Sequence, residues 1–184
     1  MHEAGIIHGR LSPDKFVIGL TPNDTVLYLT GFREARIYNS KQKRCIRKMD
    51  VDFEFMSRKK HEDGELTWKD DFESLCYMLV YFLKGELPWT QLIKNSVEFI
   101  KNGDSVEELS RKVLKMKKEI DCEELCDGLP KIVLELLQYC VGLHEFEKPH
   151  FEVLKEKFKE LYFGFYEEWD FVWDWSYIKV ELLE

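Results

Sequence analysis

Near its start the chain carries two apolar runs separated by turn-forming residues. Residues 16–20 and 25–29 are rich in β-favouring side chains, and residues 21–24 read Thr-Pro-Asn-Asp. Because Pro, Asn and Asp favour tight turns, this pattern predicts a short β-hairpin near the N-terminus.

Beyond the hairpin, apolar positions follow helical spacing. From 71 to 83 they lie nearly all round a helix, which predicts a helix buried on most sides, ended by Gly85 and kept from resuming by Pro88. A capping signal at Ser105 predicts a basic helix to about 117, and Pro130 is expected to be the first residue of a helix to about 141. A last helix is predicted from its apolar stripe, Phe151, Leu154, Phe158 and Leu161.

The predicted elements are mainly α, and length and composition agree with one domain spanning residues 1–184. Composition also limits the kinds of partner that the domain is expected to bind. The chain is 45% hydrophobic and 34% charged, which is ordinary globular usage. A net charge of −8 argues against nucleic acid and anionic membranes, since both attract concentrated Lys and Arg. Apolar runs fall short of the roughly 20 residues that span a bilayer. The first residues, Met1-His2-Glu3, lack the basic flank of a signal peptide, so we expect a cytoplasmic location or another intracellular assembly.

Basic runs and cysteines add little chemistry by themselves. The runs at 41–48, 58–60 and 112–118 are expected to be solvated faces, the alternative being contact with an acidic protein surface. The five cysteines are expected to be reduced thiols. Cys122 and Cys126 are expected to be buried as small apolar residues, because zinc needs four ligands and no companion His or Cys lies nearby in the sequence.

Several blocks of residues together point to a family. Two segments near the start read His8-Gly9-Arg10-Leu11-Ser12-Pro13-Asp14-Lys15-Phe16-Val17 and Leu27-Tyr28-Leu29-Thr30-Gly31-Phe32-Arg33-Glu34-Ala35-Arg36. Later blocks follow in order: Asp70-Asp71-Phe72-Glu73-Ser74-Leu75, Tyr81-Phe82-Leu83-Lys84-Gly85-Glu86-Leu87-Pro88-Trp89, Glu123-Glu124-Leu125-Cys126-Asp127-Gly128-Leu129-Pro130, Glu147-Lys148-Pro149-His150-Phe151 and Val172-Trp173-Asp174-Trp175. In this order and spacing they resemble the C-terminal lobe of the casein kinase 1 group of protein kinases, from His2 to Lys179.

The resemblance implies a kinase-like lobe that has lost its chemistry. In an active kinase the first segment reads H-R-D-x-K-x-x-N, where Asp accepts the substrate proton, Lys neutralises the phosphoryl group and Asn holds magnesium. This chain has Arg10, Ser12 and Lys15 at those positions. An Arg side chain offers only donors, and Lys15 places a cation where a dication should lie.

The second segment departs from the family in the same way. Gly31, Phe32 and Arg33 replace the D-F-G motif, with Gly31 at the magnesium-binding Asp. We expect no metal, no ATP and no other cofactor, also because too little sequence precedes His8 to form a nucleotide-binding lobe. Glu54 stands at the Arg of the family's substrate-binding G-T-A-R-Y-A-S element, so loss of the substrate groove is expected too.

Three polar residues near the loop have roles to be weighed. By resemblance, Asp71 is expected to hold the turn from His8 to Leu11 through backbone hydrogen bonds, which is a structural role that survives the loss of catalysis. His8 is expected to be a packing residue, the alternative being a base or ligand. Asp14 is the nearest carboxylate that would substitute as a base, but its position is usually outward-facing in the family.

These features predict a non-catalytic, protein-binding remnant of a kinase that serves as a structural subunit of a larger assembly. The alternatives are an allosteric pseudokinase that regulates an active relative and, remotely, a residual Ser/Thr protein kinase. The interface is expected where a preceding helix and upper lobe would lie in a kinase, around Ile6, Ile7, Leu29 and Phe32. The aromatic tail at 163–184 is expected to pack on its own lobe.

Overall fold

A computed structural model describes residues 1–20, 23, 25–38, 52–101, 105–165 and 173; for 97–101 and 165 only the backbone is described. The basic run at 41–48 lies outside the described residues. So does the aromatic tail, apart from 163–165 and Trp173.

Seven helices and four short strands form the described part of the chain. The helices are α1 (Arg58–His61), α2 (Trp68–Lys84), α3 (Thr90–Lys101), α4 (Val106–Glu119), α5 (Cys122–Leu125), α6 (Lys131–Gly142) and α7 (Phe151–Phe165). The strands are β1 (Ile6–Ile7), β2 (Phe16–Ile18), β3 (Leu27–Leu29) and β4 (Arg36–Ile37). The predicted mainly helical fold is therefore observed.

Helix α2 is the centre of the core, as its all-round apolar pattern predicts. It begins at Trp68, three residues before the predicted start, because the Asp70 carboxylate accepts the Thr67 N–H at 2.7 Å and closes a capping box. Its end is as predicted: Gly85 adopts a left-handed conformation (φ 83°) and donates its N–H to Tyr81 O. The apolar face of α2 packs mainly against α6.

One of the two predictions about proline is wrong. Helix α2 does not resume after Pro88, as predicted, but a separate helix that was not predicted, α3, begins at Thr90, where the Thr90 hydroxyl accepts the Leu87 N–H at 2.9 Å. Pro130 precedes α6 as its N-cap rather than being its first residue. In contrast, Ser105 caps α4 as predicted by accepting the Glu108 N–H at 3.1 Å.

The strands form two small antiparallel sheets. The predicted hairpin pairs β2 with β3, with Phe16 opposite Leu29 and Ile18 opposite Leu27. A second sheet that the sequence did not predict pairs β1 with β4 and brings Ile7 opposite Arg36. None of the described helices is long and apolar enough to cross a membrane.

Candidate functional site

The loop at residues 8–15 is attached to the central helix through Asp71. This side chain is 1% exposed, and its two carboxylate oxygens accept the backbone N–H groups of His8 at 2.7 Å and Gly9 at 2.8 Å. The ring of His2 also lies 2.8 Å from Asp71 Oδ2. Three hydrogen bonds to one buried carboxylate fix the turn at His8 against α2.

His8 is fully buried, and both of its ring nitrogens are engaged. Nε2 lies 2.9 Å from the Thr30 carbonyl oxygen, to which it donates. Nδ1 accepts the Arg10 N–H at 3.3 Å. Because the ring also packs edge-on against Phe32, at 5.0 Å between centroids, His8 joins the loop to the segment at 30–36. This geometry is that of a packing residue rather than a free base.

Arg10, which the resemblance places at the position of a kinase's catalytic Asp, lies within an ion network. Glu34 accepts from Arg10 Nη1 at 3.4 Å and from Lys60 Nζ at 2.6 Å. Lys60 also donates to the Gly9 carbonyl oxygen at 2.6 Å. Burial lowers the pKa of Lys60, and its hydrogen bond to Glu34 offsets part of that effect. Glu34 therefore balances two partly buried cations at the centre of the site.

The resemblance places Lys15 and Gly31 at the two metal positions of a kinase. The Lys15 side chain fills the space beside Gly31. A Cβ atom added at Gly31 would lie 2.5 Å from Cδ of Lys15, and Gly31 has a left-handed φ of 82°. Lys15 pairs with the neighbouring Asp14 carboxylate. Burial alone would raise the pKa of Asp14, but hydrogen bonds from Lys15 and Ser12 bring it below its ordinary value. The nearest carboxylate is thus committed to local partners.

The four residues predicted to form an interface are not all on the surface. Ile7 is 0% exposed and belongs to the interior, so its place on an open face is wrong. The reason is the pairing of β1 with β4, which turns Ile7 inwards while Ile6 stays half-buried. Leu29 is half-buried against the core, and Phe32 is 45% exposed.

The hairpin is one of the places where apolar side chains are exposed. Five of its residues are between 41% and 55% exposed: Val17, Ile18, Val26, Leu27 and Tyr28. The exposed residues lie on both faces, since side chains alternate along each strand. A two-stranded hairpin by itself is only marginally stable in water.

The segment at 52–57 is the described part of the run 51–57 that resembles the family's substrate-binding element, and it is held against the helices. Glu54 accepts from the Thr90 hydroxyl, and its carbonyl oxygen accepts the indole N–H of Trp89 at 2.8 Å. Lys117, only 2% exposed, donates to the carbonyl oxygens of Phe53 at 2.8 Å and Met56 at 2.6 Å. The side chain and the carbonyl oxygen of Glu54 therefore both accept hydrogen bonds from within the chain.

Sequence reasoning missed Glu34, Lys60 and Lys117. Lys60 lay in a basic run that we interpreted as a solvated face, and nothing in the sequence distinguished it from Lys59. Glu34 could have been noticed because it is charged at a position where the kinase group that the chain resembles has an apolar residue. Lys117 lies in the last turn of the basic helix α4. Its inward position could be inferred only because it continues the four-residue spacing of the buried Leu109 and Val113.

No protein-family model matches the chain. Among the residues that the structure describes, no group of three or more His, Cys, Asp or Glu side chains is arranged to hold a metal ion. Cys126 is buried and Cys122 half-buried, both as free thiols. Chemically, the site offers three cations, from Arg10, Lys15 and Lys60, compensated by the carboxylates of Glu34 and Asp14.

Proposed function

We propose that this protein is a non-catalytic pseudokinase lobe that serves as a protein-binding, structural subunit of an intracellular assembly. The observation that carries the proposal is the Arg10–Glu34–Lys60 network, which lies where a kinase of the group it resembles would carry out phosphoryl transfer. A guanidinium accepts no proton, so Arg10 cannot act as the base.

The metal positions support the same proposal. Magnesium at a phosphoryl-transfer site is held by carboxylate or amide oxygens, and it neutralises charge on the phosphates. Here Lys15 lies against Gly31 and supplies an ammonium group in place of those oxygens. A cation at this point repels magnesium and leaves nothing to align a nucleotide triphosphate, and we therefore propose that ATP is not a ligand.

Protein binding is supported by the hairpin and by Phe32. The five exposed apolar residues of the hairpin and the exposed Phe32 ring leave apolar area on the surface of the described part of the chain. Such surfaces mark interaction sites more often than they occur on monomers that have no partner. The earlier interface hypothesis is thus revised: Ile7 supports the surface from inside, and the contacts are made by the hairpin and Phe32.

Phosphoryl transfer is the first test. The purified chain, incubated with labelled ATP, magnesium and casein, is expected to transfer no phosphate above a buffer control, and the Arg10→Asp variant is expected to be equally inactive. Transfer that depends on magnesium and disappears on Lys15→Ala would contradict the non-catalytic assignment.

Assembly is the second test. The tagged chain, isolated with its native complex, is compared with the purified chain by hydrogen–deuterium exchange. We expect slower amide exchange in the complex at residues 16–29, whereas the amides of the exposed α7 surface serve as an internal reference. An assembly in which exchange of the hairpin is unchanged would remove the basis for placing the interface there.

A further inference from the structure

The free edge of the hairpin can be located from its hydrogen bonds. Thr30 N–H donates to Lys15 O at 2.8 Å, and Gly19 N–H donates to Val26 O at 3.1 Å. The hydrogen-bonded pairs of the hairpin are therefore Lys15 with Thr30, Val17 with Tyr28, and Gly19 with Val26. Hydrogen-bonded and non-hydrogen-bonded pairs alternate in an antiparallel ladder. The N–H and C=O groups of Leu27 and Leu29 therefore point away from β2, towards the outer edge of β3.

Within the described part of the chain, no backbone partner meets that edge. Between Phe16 and Gly31 the only charged side chain belongs to Asp24, although 34% of the whole chain is charged. Proteins commonly protect edge strands with Lys, Pro or a covering element. Among the described residues, the outer edge of β3 is thus open, and the strand carries no charge that would keep a second strand away.

The sequence of this edge is nearly palindromic. Residues 26–30 read Val-Leu-Tyr-Leu-Thr, with Tyr28 at the centre and with β-branched Val26 and Thr30 at equivalent positions. If two copies meet antiparallel about a two-fold axis at Tyr28, Leu27 of one faces Leu29 of the other. Both residues present outward N–H and C=O groups, so four hydrogen bonds form with no register conflict.

We propose that the protein pairs with a second copy of itself through β3, forming a four-stranded antiparallel sheet across a two-fold axis. This inference rests on the proposed protein-binding function and identifies one partner of the same surface. Tyr28 of each copy lies beside Tyr28 of the other as a non-hydrogen-bonded pair, in which side chains approach most closely.

Charge is compatible with this pairing. The net charge of −8 opposes association in general, but no acidic residue lies within β3, so like charges are not brought together at the axis. Val17, Val26 and Tyr28 share one face of the hairpin and continue as one apolar band across the two copies. Because a hairpin is a small interface, we expect a dimer that dissociates on dilution rather than a permanent one.

The test is the molecular mass in solution. Sedimentation equilibrium of the full chain under reducing conditions, at about 5 to 200 μM to bracket the dissociation constant expected of a small interface, should show a rise towards twice the monomer mass of 22.1 kDa. The variant Tyr28→Lys places like charges opposite each other at the axis and should remain a monomer throughout. The matched control Val17→Lys has the same charge, face and exposure, but lies on the far strand, and should still dimerise.

A second pair of variants tests the edge itself. Leu27→Pro removes an outward donor from β3 without removing a hydrogen bond of the hairpin, and should lower the association constant at least tenfold. Ile18→Pro makes the equivalent change on the outer edge of β2 and should leave association unchanged. Circular dichroism verifies that each variant is folded.

Each remaining outcome counts against the proposal. A wild-type monomer at all concentrations overturns self-pairing but leaves the phosphoryl-transfer and exchange tests of the proposed function untouched. Equal loss of association in Tyr28→Lys and Val17→Lys, or assembly beyond a dimer, would show that pairing does not close through β3. Conversely, phosphoryl transfer would overturn the proposed function while the dimer could stand.

Discussion

Replacing Lys117 by Met tests how the segment at 52–57 is held in place. The ammonium group is buried, donates to two carbonyl oxygens and lies 4.9 Å from the ring centroids of both Tyr77 and Trp89. Burial lowers the pKa of Lys117 to about 7 from its ordinary 10.5, although the carboxylates of Glu73, Asp52 and Glu54 favour the charged form. Holding this cation inside therefore has a cost that depends on pH.

The sign follows from counting protons. Between pH 7 and 10.5 the unfolded chain keeps a proton on Lys117 that the folded chain has lost, so the stability contributed by this group rises with pH. The slope approaches about 1.4 kcal/mol per pH unit for one proton. Below pH 7 both states are protonated and Lys117 contributes no slope.

Other buried groups limit the useful window. Burial and then the charge of Lys117 lower the pKa of His61 to about 3, which makes stability fall as pH decreases below 6.5. Burial raises the pKa of Cys126 to about 11, and the hydrogen bond that the Cys76 thiol donates to Cys140, with burial, raises the pKa of Cys76. Unfolded thiols lose protons above about pH 8.5, so their contribution opposes that of Lys117 there. The slope is therefore measured between about pH 7 and 8.5.

The variant is expected to lose that slope. Lys117→Met leaves two carbonyl oxygens without a donor, at about 1–3 kcal/mol each, but it also removes the cost of burying a charge. Because these two effects oppose each other at pH 7, the change in the free energy of unfolding at one pH does not test the role of Lys117. The dependence of that free energy on pH does test it. The matched control is Lys115→Met, on the same helix with its side chain 73% exposed, which should keep the wild-type slope.

Urea unfolding followed by tryptophan fluorescence, at four pH values with reductant, gives the free energy of unfolding directly. A wild-type stability that does not change across the window, or a Lys117→Met variant with the wild-type slope, would refute the assignment of the slope to this ammonium group.

The remaining predictions concern the site. Asp71→Asn should lower the free energy of unfolding by about 2–5 kcal/mol, because two buried backbone donors lose a charged acceptor; urea titration compares it with Asp127→Asn at an exposed position, and an equal effect would contradict the anchoring role. Glu34→Gln should cost about 3 kcal/mol, since two partly buried cations lose their counter-charge, whereas the exposed Glu65→Gln should be neutral within the error of the same titration. Millimolar ATP with magnesium should leave the melting temperature unchanged in a thermal-shift assay, and a magnesium-dependent rise of a few degrees would argue for a surviving nucleotide site.

Local signals in the sequence predicted the parts of the fold that depend on local chemistry. The hairpin follows from its turn residues, the end of α2 from Gly85 and the start of α4 from Ser105. The start of α2 was missed because Thr67 and Asp70 act as a capping box only when Trp68 and Lys69 are already helical. Helix α3 was missed because Pro88 was treated as a barrier, although a proline just before a helix is compatible with its beginning.

Non-local pairing accounts for what the sequence did not predict at the site. The burial of Ile7 requires β4, thirty residues away in the chain, and a two-residue strand has no periodicity from which to infer its inner face. The ion network joins Arg10, Glu34 and Lys60 across fifty residues, and only the fold places them together. The resemblance drew attention to Arg10 and Lys15, but it did not indicate which residues would pair with their charges.

The charged residues at the site depend on one another, which determines what a single substitution there would do. An arginine placed at position 10 next to an apolar residue at 34 would be a half-buried cation without a counter-charge, and Glu34 supplies that charge at 3.4 Å. Substituting Arg10 by Asp would place a second carboxylate close to that of Glu34. Repulsion between the two carboxylates would raise the pKa of one of them, and both would share Lys60 as their partner. Meanwhile Asp71 would hold the loop in the same turn, because its bonds are to backbone N–H groups and do not depend on the side chain at position 10. The shape of the loop and its charges are therefore maintained by different residues, so a change at position 10 alters the ion network without removing the hydrogen bonds that hold the turn.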